Sequence, residues 1–241
     1  MAKVTLFDLP SKDPCRTWSL NPWKTRLFLN YKEIEYDTEW VEYPDIAPKF
    51  KAFGIPPNTD GNTPYTSPTI RLVNGKTETY IMDSKKIAIA LEELFPKPSM
   101  HLDSEYLPQM YDLVAECQKY LMPFWMPSVP ADVLNPVSAE YFYTTRLTKV
   151  GKPLQELAKE ATPEQWDKSR PHFEKIAALL KTNGGPFVMG DSVSYADFVL
   201  VSFLQFIRRS HEVAFTKVLA VDDTIKKVYE ACGKWLERDS F

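Results

Sequence analysis

A hydroxyl stands where a helix is about to begin. In Trp18-Ser19-Leu20-Asn21-Pro22-Trp23-Lys24-Thr25-Arg26, Pro22 suits a first helical turn, which needs no donated N–H, and Leu27-Phe28-Leu29-Asn30-Tyr31 reads as the helix body. Ser19 thus precedes a set of unpaired backbone N–H groups and the positive end of a macrodipole. Its hydroxyl is either an N-cap or a donor to an anion resting on that helix end. Two further spots can do chemistry beside it. Thr66-Ser67-Pro68 puts a proline at a strand entrance, and a cis Ser67–Pro68 bond there would turn the backbone of Ser67 toward the first helix. Asp83-Ser84 opens a helix. It is either a plain capping pair or a clamp, in which the carboxylate receives an ammonium while the Ser84 hydroxyl and free N–H groups receive a carboxylate. A γ-glutamyl group carries both charges on one carbon.

These residues need elements to hold them. Val4 to Leu9, Tyr36 to Val41, Thr69 to Val73 and Thr77 to Ile81 read as strands, with a hairpin signal at Asn74-Gly75. Helices are expected from about Pro22 to Tyr31, from Pro44 to Phe53 with Pro48 as an interruption, and from Asp83-Ser84 to Phe95. Pro56 to Pro64 is a turn-rich loop, and Pro96-Lys97-Pro98-Ser99 is a linker by composition. Beyond it only helices are expected: Leu107 to Met126, with Pro123 and Pro127 as kinks or stops, Ala139 to Ala161, Pro163 to Lys181, Tyr195 to Ser210 and Asp222 to Trp235. Ser194-Tyr195-Ala196-Asp197 has capping-box spacing before a run, Phe198 to Ile207, that is apolar on nearly all sides and reads as a buried core helix.

Composition narrows the function. The chain has 241 residues, 44% apolar and 25% charged, which suits a well-packed protein of one large or two small domains. A formal net charge of -3 without a dense Lys/Arg cluster gives no expectation of nucleic acid or anionic membrane as partner. The first residues lack the apolar core of a signal peptide, and the most apolar run is too short to span a bilayer, so a cytoplasmic location is expected. Cys15, Cys117 and Cys232 form neither a disulfide framework nor a metal-ligand spacing, and His101, His172 and His211 are scattered; no metal is expected. Cys15, in the loop before Ser19, is the competing reactive group, as a thiol near a helix end could form mixed disulfides. Lys24 and Arg26 are expected on an exposed helix face.

The order β-α-β-α-β-β-α followed by helices, with Ser19, Ser67-Pro68, Asp83-Ser84 and Ser194-x-x-Asp197 at their places, resembles the glutathione transferase superfamily over essentially the whole chain. Ser19 to Arg26, Leu29-Asn30-Tyr31-Lys32 and Trp40 to Ile46 are similar to fungal serine-type glutathione transferases related to bacterial lignin β-etherases. Leu20 departs from the proline of many relatives, and Ser67 from their valine. The resemblance implies a thioredoxin-like α+β domain over residues 1–96, a linker at 97–104 and an all-helical domain over 105–241. It implies glutathione as co-substrate, with Ser19 activating its thiol, and contacts from Asn21, Lys49, Thr66, Ser67, Pro68, Asp83 and Ser84. Lys49, with Lys51, would reach the glycyl carboxylate. Aromatic electrophiles, aryl ethers or phenolic compounds are the implied second substrates, set against Trp18, Trp23, Phe124 and Trp125. A homodimer is implied, and a non-catalytic carrier of aromatic metabolites is the alternative to an enzyme.

Overall fold

A computed structural model describes residues 2–59 and 63–240. Residues 60–62, inside the loop expected over Pro56 to Pro64, lie outside the described residues, as do Met1 and Phe241. The β-branched and aromatic runs become β1 (Lys3–Asp8), β2 (Tyr36–Trp40), β3 (Thr69–Asn74) and β4 (Thr77–Met82). They form one sheet in the order β2-β1-β3-β4, with β2 parallel to β1 and β3 antiparallel to both its neighbours. The hairpin tip lies one residue later than the Asn-Gly signal suggests. Asn74 still pairs with Thr77, and Gly75 takes the bend at φ +63°, a conformation that only glycine adopts without steric cost.

Helices α1 (Leu20–Tyr31), α2 (Tyr43–Ala52) and α3 (Ser84–Leu94) complete this mixed part. Pro48 lies inside α2 without stopping it. The part that follows is helical: α4 (Tyr106–Trp125), α5 (Pro136–Val150), α6 (Leu154–Ala158), α7 (Pro163–Leu180), α8 (Tyr195–Ser210), α9 (Glu212–Leu219) and α10 (Asp223–Ala231). This is the thioredoxin-like sheet domain followed by helices that the sequence leads one to expect.

Three differences have local causes. The single helix expected over Ala139 to Ala161 is two, because Gly151 closes α5 at φ +76° and Pro153 cannot carry on the backbone ladder. Helix α9, absent from the sequence reading, starts afresh after His211, whose Nδ1 accepts the Ala214 N–H at 3.1 Å. The last helix ends at Ala231 and tightens into a 3-10 turn over Gly233–Leu236, short of the expected Trp235. After α4 the chain passes through a π-helical turn, Val129–Val133, which begins just past Pro127.

Helix α8 is the central post. Its side chains from Tyr195 to Ile207 are all buried, and it packs on α1 and α4. Its start is the expected box: the Asp197 carboxylate accepts the Ser194 N–H and hydroxyl, both at 2.8 Å, and the Val188 N–H at 2.8 Å. The two parts are stitched at two places. The Tyr195 hydroxyl donates to the Ser84 carbonyl at 3.2 Å. Asn135 and Ser138, at the start of α5, donate to the Glu42 carboxylate, and the Tyr43 N–H donates to the Ser138 hydroxyl at 2.9 Å. The second stitch lays α5 against α2 and thereby closes one side of the site.

Candidate active site

Ser19 owes its place to a buried charge. Asp8, the last residue of β1, accepts the Leu9 N–H at 2.7 Å through Oδ1. Its Oδ2 accepts the Thr17 hydroxyl and the Arg26 Nε–H, the latter at 2.9 Å. Arg26 also donates to the Tyr36 hydroxyl at 3.3 Å and to Thr38 Oγ1 at 2.8 Å. Both side chains of the Asp8–Arg26 pair are wholly enclosed. The pair clamps the loop of residues 9–19 between β1 and α1, and Ser19 is the residue that emerges from it. The exposed helix face expected for Lys24 and Arg26 is therefore wrong. α1 packs against α8 and α3, Arg26 reaches Asp8, Tyr36 and Thr38 of the sheet, and both residues are buried.

Ser19 is the N-cap residue of α1 by backbone position, with φ -77° and ψ 139°, and its carbonyl accepts the Trp23 N–H at 3.2 Å. Its hydroxyl makes no capping bond. Of the two roles open to it from sequence, the structure leaves the hydroxyl available to a ligand. It lines a cavity of about 330 Å³ with Asn21, Thr66 and Ser67, all named from sequence. Ser67 is fixed by a bond from its hydroxyl to the Phe7 carbonyl at 3.0 Å, and the Ser67–Pro68 bond is cis.

Asp83 and Ser84 adjoin this group through the backbone, as the Asp83 N–H donates to the Pro68 carbonyl at 3.1 Å. Asp83 sits at φ +89° and ψ 126°, a region that costs a non-glycine residue about 1–3 kcal/mol and tends to occur where surrounding structure imposes it. Its Oδ1 caps α3 by accepting the Lys85 and Lys86 N–H groups at 2.9 and 3.2 Å, which leaves Oδ2 for another partner. Lys24, near enough to Asp83 to feel its charge, is buried in α1. Its Nζ donates to Asn21 Oδ1 at 3.0 Å and stands 4.9 Å from the centre of the Tyr111 ring. Burial pushes its pKa down to about 8, partly opposed by the Asp83 charge.

Other residues named from sequence fall elsewhere. Lys49 is paired with Glu39 and lies over the Phe7 and Phe53 rings, so it faces away from the cavity. Lys51 lies over the ring of Tyr65. Trp23 is fully enclosed in the core. Trp18 is buried too; its indole N–H donates to the Pro10 carbonyl at 3.2 Å, and its ring packs edge-on against Tyr43. It borders a separate hollow of about 270 Å³ with Lys12, Arg16 and Arg209 that does not include Ser19. Trp125 packs on Phe206, and Phe124 on Trp166 and His211. Trp18 also packs on Phe206 of α8, at 6.3 Å, and none of the four rings named from sequence lines the Ser19 cavity. Cys15 is not on the cavity, and burial raises its thiol pKa, which disfavours the thiolate.

The aromatic lining comes instead from Tyr43 of α2, Tyr65 and Tyr141 of α5, joined by Thr145, Arg146 and Lys149. Tyr43 and Tyr141 stack at 5.9 Å with planes 10° apart. Sequence reasoning missed this wall, although Tyr141, Thr145 and Lys149 recur at the four-residue spacing that puts side chains on one helix face. Among the described residues no group of three His, Cys, Asp or Glu side chains converges as a metal site, and no helix is long and apolar enough to cross a membrane.

Comparison with known proteins agrees along the whole chain. Residues 18–94 match the family described as glutathione S-transferase, N-terminal domain, and residues 110–235 match its C-terminal domain. A glutathione S-transferase-like protein, ustS of Aspergillus flavus, is 31% identical over 96% of this chain and 90% of its own length. Among solved structures, a glutathione S-transferase of Ceriporiopsis subvermispora in complex with glutathione superposes with a TM-score of 0.84 at 31% identity, covering 97% of both chains. The glutathione transferase GSTFuA3 of Phanerochaete chrysosporium gives the same TM-score at 28% identity, again over 97% of each chain.

Proposed function

The chain belongs to the glutathione S-transferase family, and from that premise we propose that it binds glutathione along Ser19, Asn21, Thr66, Ser67, Pro68, Asp83 and Ser84 and activates the thiol with Ser19. The observation that carries this reading is the Ser19 hydroxyl, placed at the start of α1 on a cavity wall and free of any capping bond. When bound, glutathione supplies a sulfur nucleophile for an electrophilic carbon. A free cysteine thiol has a pKa of about 8.5, so only a few per cent of it is thiolate at pH 7. The Ser19 hydroxyl donates to the sulfur, and the α1 N-terminus adds its positive end; both favour the anion. One hydrogen bond to a charged group is worth about 1.5–3 kcal/mol, and a drop of about 2 pH units needs about 2.7 kcal/mol, so the two effects together suffice.

The free Oδ2 of Asp83 accepts the γ-glutamyl ammonium, and Ser84, the first residue of α3, receives its carboxylate through its hydroxyl and backbone N–H. Aromatic acceptors, including aryl ethers and phenolic compounds, lie against Tyr43, Tyr65 and Tyr141, whose faces favour flat rings. With an aryl ether, a carbon–sulfur bond forms as the carbon–oxygen bond breaks, and the phenolate that leaves takes up a proton from solvent. A homodimer and a cytoplasmic location belong to the same proposal and rest on the family resemblance.

The test is ultraviolet titration of glutathione bound to wild type and to Ser19→Ala. The bound thiol pKa is expected to rise by about 1–2 units in the variant. Equal values in the two proteins would reduce Ser19 to a structural residue.

A further inference from the structure

The cavity at Ser19 has a lopsided charge. Its described lining holds two charged side chains, Arg146 and Lys149, both cationic and both from α5 of the helical domain. They stand three positions apart, one turn of helix less a fraction, so both project to one face of α5. Among the described residues neither is in an ion pair. The Arg146 guanidinium lies 4.2 Å from the centre of the Phe142 ring and 5.4 Å from that of Tyr43, and donates to Thr145 Oγ1 at 2.9 Å. With five N–H donors in a planar fork, it has others to offer. Lys149 Nζ donates to Thr63 Oγ1 at 2.8 Å and keeps two more. Glu42, the acid at the start of α2, is occupied by Asn135 and Ser138, and Lys49 is occupied by Glu39. Partial burial and the neighbouring Arg146 charge already lower the Lys149 pKa, as happens when two cations share a cavity with no anion between them.

We infer that Arg146 and Lys149 form a carboxylate clamp at the helical-domain end of the Ser19 cavity, so that the ligand reaching from Ser19 to α5 must carry an acid group there. The planar guanidinium suits bidentate carboxylate binding, and the ammonium adds a second point of charge. Rings of Tyr43 and Tyr141 wall the path between. This rests on the assignment of glutathione to the cavity, and two sources of the carboxylate fit it: the glycyl end of glutathione, or an acid group on the aromatic acceptor.

Calorimetric titration separates them. The ligands are glutathione and its glycyl monoethyl ester, then 3,5-dinitrobenzoate and the neutral 1,3-dinitrobenzene. The proteins are wild type, Lys149→Met, Arg146→Met and the charge-retaining Arg146→Lys; Lys149 is exposed, so its variant keeps the fold even if Arg146→Met does not. If the clamp holds glutathione, wild type favours glutathione over the ester about tenfold or more, the Met variants lose that preference, and Arg146→Lys keeps part of it. If the clamp holds the acceptor, glutathione and ester bind alike, and the benzoate outcompetes the neutral nitroarene in wild type alone. The inference is overturned if wild type ignores the carboxylate in both pairs, or if Lys149→Met leaves every preference intact. Loss of glutathione binding altogether, with discrimination for the benzoate retained, would sink the assignment of glutathione and spare the clamp.

Discussion

Lys24 makes the stability of this protein depend on pH in an unusual direction. Its ammonium is buried in α1 with an amide oxygen and a tyrosine ring as neighbours, and its pKa falls from 10.5 to about 8. The unfolded chain holds this proton up to about pH 10.5, whereas the folded chain lets it go near pH 8. Between those values the unfolded state binds more protons, so stability rises with pH. Below pH 8 both states are protonated and the full cost stands. A gap of about 2.5 pH units corresponds to about 3 kcal/mol at pH 7, falling to about 2 at pH 9 and about 1 at pH 10. Lys24→Met keeps the length of the stem and removes the charge. After about 1 kcal/mol is deducted for the lost Asn21 bond, the variant is expected to be more stable by about 2 kcal/mol at pH 7, with no advantage left by pH 10. Equilibrium unfolding in urea at a series of pH values reads this directly. An advantage that stays constant from pH 7 to pH 10 would refute the reasoning, because packing gains do not titrate.

Two further substitutions probe the frame around the cavity. Asp8→Asn keeps the shape but leaves Arg26 enclosed without a carboxylate, and should cost about 3–5 kcal/mol in urea unfolding; a loss under 1 kcal/mol would mean that the pair does not clamp the loop before Ser19. Asp83→Asn still caps α3 but cannot pair with an ammonium, so glutathione affinity should fall at least tenfold by calorimetry while the melting temperature holds; unchanged affinity would move the γ-glutamyl group elsewhere.

The sheet domain and the order of its elements were legible because each element carries its own local signal. Strand runs are apolar and β-branched, Pro22 and Pro44 mark helix starts, and Asp83-Ser84 marks another. Ser19, Ser67 and Asp83 could be named for the same reason, since each is marked by a few adjacent residues at a helix start or a strand entrance. What escaped was decided by packing over long separations. Nothing near Trp125 announces that Phe206 will cover it, and nothing near Arg26 announces that Asp8, eighteen residues earlier, will take its guanidinium into the core. The α5 wall was missed because Tyr141, Thr145 and Lys149 look like an ordinary solvated stripe until Glu42 ties α5 onto α2.

Three exceptions to folding rules fall on, or next to, residues proposed to bind glutathione. An N-cap serine that does not cap, an aspartate at φ +89° and a lysine buried without a contacting carboxylate are three local costs, at Ser19, Asp83 and Lys24. Each has a cheap repair: a capping rotamer, a glycine, a methionine. Costs of this kind are tolerated where the same groups do something a well-folded chain does not need. A zwitterionic amino-acid end needs an acceptor and donors a few ångströms apart, and a chain that satisfied Asp83 with Lys24 directly would leave neither for it. Here the Lys24 ammonium donates to Asn21 Oδ1 at 3.0 Å, while Asp83 caps α3 with Oδ1 and keeps Oδ2 open. In the proposed complex the ligand ammonium takes the open Asp83 oxygen and its carboxylate goes to Ser84, while Lys24 stays with Asn21 as a nearby positive charge.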